Sequence, residues 1–100
     1  MMYQKPAKPE RGTPSAREWM GLVAQLPCLC CGATPVQLHH AIHGRFSQGK
    51  SSDFDTLPLC PAHHRMLHDQ PRVWRAAYGL DCDMLDRVRR QVAALRRRTI

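Results

Sequence analysis

The spacing of apolar positions changes period along the chain. In TPSAREWMGLVAQLP (13–27), Trp19, Leu22, Val23 and Leu26 recur at helical intervals, which predicts an amphipathic helix stopped by Pro27. Ser15 and Glu18 have capping-box spacing, and Thr13 with Pro14 offers an alternative start. VQLHHAI (36–42) alternates instead. It predicts a short strand with Val36, Leu38, His40 and Ile42 on one side and Gln37, His39 and Ala41 on the other. FDTLPLC (54–60) predicts a second strand, reached through a polar loop too long for a tight hairpin. PAHHRMLHDQ (61–70) predicts a helix opening on proline, and PRVWRAAYG (71–79) a short helix closed by Gly79. The remaining residues predict a longer helix capped by Asp81 or Asp83, with Leu85, Val88, Val92 and Leu95 as its apolar stripe. Trp74 and Tyr78, four apart, read as packing residues.

This order of elements is an α+β fold. A strand–loop–strand–helix core spans about 28–70, an N-terminal helix precedes it, and helices over about 71–98 follow. Residues 1–12 hold two prolines, two lysines and a glycine, and predict a flexible arm in front of a single domain over 13–100. The 100 residues include only six Phe, Trp or Tyr. A core that small gains from a structural metal.

Charge narrows the partners. Lys and Arg number 15 against 8 Asp and Glu, for a formal net charge of +7. That excess points to a polyanion, with DNA the expected partner and simple solubility the bland alternative. No apolar run reads as a signal peptide or a membrane span, so no membrane partner is expected. The five cysteines are an odd number and alternate with histidines as metal ligands do, which predicts a reducing, cytoplasmic setting in a bacterium or a phage-infected cell.

Two constellations carry chemistry. Cys28 and Cys31 form a C-x-x-C pair, and Cys60 and His63 a C-x-x-H pair. Two such knuckles supply the four ligands of a closed, structural Zn²⁺ site. Cys30 competes with its neighbours as a ligand, although Gly32 favours the 28 and 31 pair by letting the chain turn under the sulfur. Cys82 reads as a small half-buried hydrophobe. His64 and His68, spaced i and i+4, share a helix face and can chelate one ion. His39 and His40 are adjacent on a strand and point to opposite faces, so one can join the helix pair while the other faces elsewhere. An open metal site beside a neutral histidine, on a basic protein, predicts phosphodiester hydrolysis. The competing expectation is a zinc-stabilised DNA-binding module without catalysis.

The combination C-x-x-C-G, then HH, then LPLC-x-x-HH-x-x-x-H resembles the HNH endonucleases, the ββα-metal superfamily. Within it, HHAIHGRFSQGKSSDFDTLPLCPAHHRMLH is similar to the phage Ref group of RecA-dependent, recombination-enhancing nucleases. The resemblance covers about residues 27–79 and is strongest over 38–68. It implies that His39, His64 and His68 hold a catalytic Mg²⁺ or Mn²⁺ and that His40 is the general base activating water. It further implies that Cys28, Cys31, Cys60 and His63 hold the structural zinc, that DNA is cut in phage recombination, and that a RecA filament is a partner. The family's middle Asn is replaced here by Thr56, next to Asp55, so a hydroxyl, Asp55 or backbone must do the work of an amide. Arg45 and Lys50, between the strands, are candidate phosphate contacts, and the arginines at 96–98 a diffuse basic feature.

Overall fold

Proline and short polar side chains set where the helices begin. In the computed structural model, which describes residues 12–41 and 52–98, α1 spans Pro14–Val23. Thr13 is its N-cap: the residue is extended (φ −70°, ψ 156°) and its Oγ1 accepts from the Ala16 N–H at 3.1 Å. Pro14 then occupies the first helical position, where a missing N–H costs nothing. The cap is therefore Thr13 and not the Ser15–Glu18 box, because Pro14 starts the helix one residue ahead of Ser15. At the other end α1 stops three residues short of Leu26. Gln25 and Leu26 donate to Leu22 and Val23 in a tightened turn that still delivers Leu26 into the core.

The strands are shorter than the alternation predicts. β1 is Gln37–His40 and β2 is Thr56–Leu59, antiparallel, with Gln37 opposite Leu59 and His40 opposite Thr56. β2 is buried along its whole length. Pro58 is compatible with it because each strand of a two-stranded sheet is an edge, and the Pro58 carbonyl accepts from the Leu29 N–H at 3.1 Å.

α2 (Pro61–Asp69) and α3 (Pro71–Tyr78) both open on proline. Gly79 ends α3 at φ +84°, a left-handed conformation that suits glycine. A 3₁₀ turn (Asp81–Met84) leads into α4 (Leu85–Arg98). The core runs between these pieces: Val23 at the end of α1 and Leu26 after it, Leu57 and Leu59 from β2, Leu67 from α2, Trp74 from α3, and Leu85, Val88 and Val92 from α4. The apolar stripe of α4 is thus used within the chain, with Leu95 packed at its margin.

Some arginines of α4 also have partners in the fold. Arg87 donates to the Leu29 carbonyl at 3.2 Å, Arg89 pairs with Asp86 at 3.0 Å, and the Arg96 guanidinium lies 5.7 Å from the centre of the Trp19 ring. No helix among the described residues is long and apolar enough to cross a membrane. Of the expected N-terminal arm only Gly12 falls within the described residues.

Candidate functional site

The first cluster forms where the chain after α1 meets the start of α2. The Gly32 N–H donates to the Cys28 carbonyl at 2.8 Å, closing a tight loop around Cys28 and Cys31, and Gly32 takes φ +76° to make that turn. Cys60 is the N-cap of α2, and its Sγ accepts from the His63 N–H at 3.5 Å. Four ligand atoms, from Cys28, Cys31, Cys60 and His63, lie within 4.8 Å of one another. Cys31 Sγ is 3.8 Å from Cys60 Sγ, and His63 Nδ1 is 3.2 Å from Cys60 Sγ and 3.9 Å from Cys28 Sγ. A tetrahedral Zn²⁺ with ordinary bond lengths has ligand–ligand edges of about 3.3–3.8 Å, so the three-sulfur, one-nitrogen set fits such an ion. His63 Nε2 lies 3.3 Å from the Tyr78 hydroxyl, which leaves Nδ1 for the metal. Tyr78 thus has a polar role that its spacing from Trp74 did not announce.

Cys30 stands apart from the cluster. Its backbone N–H donates to Cys28 Sγ at 3.4 Å, while its own thiol is pushed up to about 12 by burial, with the neighbouring Cys28 charge adding to the effect. For Cys28 burial pushes upward too. Backbone hydrogen bonds from Cys60, Cys30 and Cys31 outweigh it and bring the thiol down to about 7, close to the thiolate a metal needs.

The second cluster joins β1 to α2. Ring nitrogens of His39, His64 and His68 lie within 4.8 Å of one another. His64 Nε2 and His68 Nε2 are 3.1 Å apart, as the i, i+4 spacing on α2 predicts. Period-two alternation brings His39, and not His40, to this face. The other ring nitrogens are held from outside: His39 Nε2 is 2.8 Å from Asp81 Oδ2, and His64 Nδ1 is 2.8 Å from Gln37 Oε1. Burial, then the nearby His39 and His68, hold His64 below the usual imidazole range, which favours the neutral, ligating form. His39 and Asp81 are buried, whereas His68 is exposed on an open groove lined by Gln37, His64, Arg65 and Asp69.

His40 faces the other way. Its Nε2 is 2.7 Å from Asp53 Oδ1, and the second carboxylate oxygen of Asp53 accepts from the Gly12 N–H at 2.7 Å. The Thr56 hydroxyl, fully buried, donates to the Asp53 carbonyl at 3.2 Å. Thr56 therefore anchors the backbone that carries the partner of His40. The Asp55 carbonyl accepts from the Ala41 N–H, and its carboxylate faces Arg89 at 3.5 Å.

Asp53, Asp81 and Gln37 are the site residues that sequence reasoning missed. Gln37 was findable, because it shares the strand face of His39. Asp81 read as a helix cap, yet it is fully buried, and the 3₁₀ turn it opens has no side-chain cap bond. Nothing in the pattern singled out Asp53 within its polar loop. Arg45 and Lys50 lie outside the described residues.

Comparison with known proteins gives a family for the chain. Residues 2–95 match the DUF968 family, described as a protein of unknown function. The chain is similar to the uncharacterized protein YdfU of Escherichia coli (strain K12), with 35% identity over 81 residues, covering 74% of this chain and 23% of the relative. It thus spans about a quarter of the length of that curated relative. No solved structure matches. Matched along nearly its whole length, the chain belongs to the DUF968 family.

Proposed function

We propose that this protein is a metal-dependent, HNH-type endonuclease that hydrolyses DNA phosphodiester bonds. One observation carries the reading: beside a complete Cys₃His cluster there is a second, three-imidazole cluster, and the next residue on the same strand, His40, is held by a carboxylate. A purely structural zinc module needs only the first of these.

In this reading Cys28, Cys31, Cys60 and His63 hold zinc and fix β2 and α2 to the loop after α1. His39, His64 and His68 hold the working ion, Mg²⁺ or Mn²⁺. Such an ion, when bound, supplies Lewis-acid stabilisation of the phosphoryl oxygen and the leaving 3′ oxygen. Nitrogen donors also suit Zn²⁺ and other first-row ions, which compete with Mg²⁺ for this site.

His40 does the proton chemistry. Its Nε2–H donates to Asp53, so Nδ1 is the basic nitrogen and takes the proton of the attacking water. The resulting hydroxide attacks phosphorus, the P–O3′ bond breaks, and the departing oxygen is reprotonated from solvent. Asp53 stabilises the imidazolium that forms. The net charge of +7 draws the polyanion in. Similarity to the Ref group makes a RecA filament the proposed partner on DNA and phage recombination the proposed setting, in the cytoplasm of the host.

The test is cleavage of plasmid and single-stranded DNA with Mg²⁺ or Mn²⁺, with and without RecA and ATP. His40→Ala is expected to lower the rate by about 10²–10⁴-fold, the usual worth of a general base, with zinc content and DNA binding retained. Cutting that requires RecA would support the narrower group. Undiminished cutting by His40→Ala removes His40 from the mechanism. No cutting at all by folded, zinc-loaded wild type would favour the zinc-stabilised DNA-binding module.

A further inference from the structure

The function proposed above uses three imidazoles but gives no role to the buried carboxylate behind one of them. Asp81 is fully buried, His39 is 4% exposed, and the two are 2.8 Å apart across 42 residues of sequence. A buried carboxylate with a buried imidazole is a costly way to build a core, since apolar residues of similar size usually serve stability as well or better. Its retention needs another cause. The ligand set supplies one: His39, His64 and His68 bring three neutral nitrogens and no negative charge to a dication.

We propose that Asp81 is an outer-sphere positioning residue for this metal site. It fixes the proton of His39 on Nε2, leaves Nδ1 to face the ion, and sets a buried negative charge one ring away from it. Metal-binding histidines generally donate their second ring N–H to a carboxylate or carbonyl in this manner. Gln37 Oε1 does the same for His64 at 2.8 Å, without charge and at an exposed position. Asp81 also gives the C-terminal elements a part in the site. The 3₁₀ turn before α4 reaches β1 through this pair. The inference rests on the metal-binding half of the proposed function and is independent of DNA cleavage.

Two measurements test it. In ¹⁵N-labelled wild type loaded with structural zinc, long-range proton–nitrogen spectra report the tautomer of His39. A proton on Nε2 is expected, and a proton on Nδ1 overturns the proposal. Separately, zinc-loaded protein is titrated with Co²⁺ by calorimetry, with zinc content measured before and after. Wild type is expected to take up one Co²⁺ beyond its zinc, and His64→Ala to lose that site. Asp81→Asn should bind Co²⁺ about 10–100-fold more weakly with its zinc intact. Equal affinity in Asp81→Asn overturns the proposal. Wild type that takes up no Co²⁺ overturns the metal reading and the proposal with it, and that failure appears without any substitution. If Asp81→Asn loses its zinc, the tautomer in wild type decides alone.

Discussion

At the scale of single residues, hydrogen bonds to the outer nitrogen divide the histidines by task. His63, His64 and His39 each have one ring nitrogen held by Tyr78, Gln37 or Asp81, and the other belongs to a cluster of ligands. His40 is held by Asp53 and, among the described residues, belongs to no such cluster. An imidazole tied to a carboxylate and free of metal is suited to move a proton, and one tied and ligating is suited to hold an ion. Asp53 is accordingly expected to matter through His40. Under the proposed endonuclease function, Asp53→Asn should slow DNA cleavage by about 10²–10⁴-fold by releasing the preferred tautomer, as loss of the aspartate does in a Ser-His-Asp triad. Rates measured across a pH series, beside zinc content, check this. A changed pH profile with zinc retained supports positioning of the base, whereas an unchanged rate and profile would remove Asp53 from the positioning of His40. The ligand residues were legible because i, i+3 and i, i+4 spacings are properties of a single turn. Asp53 and Asp81 were not, because nothing local distinguishes a buried aspartate from a loop or cap aspartate.

Elements put these residues at their stations. α2 carries ligands of both clusters, and its start is set by Pro61 and by Cys60 as cap, so the residue that begins the helix also belongs to the first cluster. β1 places Gln37 and His39 on the face toward α2 and turns His40 to the Asp53 side. A slip of one residue in the pairing of β1 with β2 would exchange the two histidines. The start of α1 gives a direct check on helix boundaries. Thr13→Ala should cost about 0.5–2 kcal/mol by removing the cap bond, and Ser15→Ala, on the exposed first turn, close to nothing. Chemical denaturation of both variants measures it, and a larger loss at Ser15 would contradict the cap assignment.

For the molecule as a whole, the small core and the Cys₃His cluster act together. Leu57, Leu59, Leu67 and Trp74 are almost wholly buried, but the sheet in this core has only two strands of four residues. A two-stranded sheet is at best marginally stable without further support. With zinc in the Cys₃His cluster, as proposed above, its removal by a strong chelator is therefore expected to unfold the chain cooperatively, with loss of helical circular dichroism that returns on adding zinc. A chelated protein that keeps its melting transition would assign the fold to apolar packing alone. The charge has a global reading as well. Arg87, Arg89 and Arg96 contact other parts of the fold, so the excess of 15 cations over 8 anions overstates the charge available to a partner.

Sequence alone determined the features that depend on a few consecutive residues. The two Cys/His knuckles, the histidine pair on α2, the proline-started helices, the glycine stop at Gly79 and the apolar stripe of α4 all follow from turn geometry and helical period. Tertiary structure decided the pairings between distant segments: Asp81 with His39, Asp53 with His40, and Asp55 with Arg89. It also ended α1 early and shortened both strands. The physical reason is range. Backbone geometry constrains side chains within about a turn of one another. Which aspartate a buried imidazole meets depends on how the whole core packs, and no local period records that.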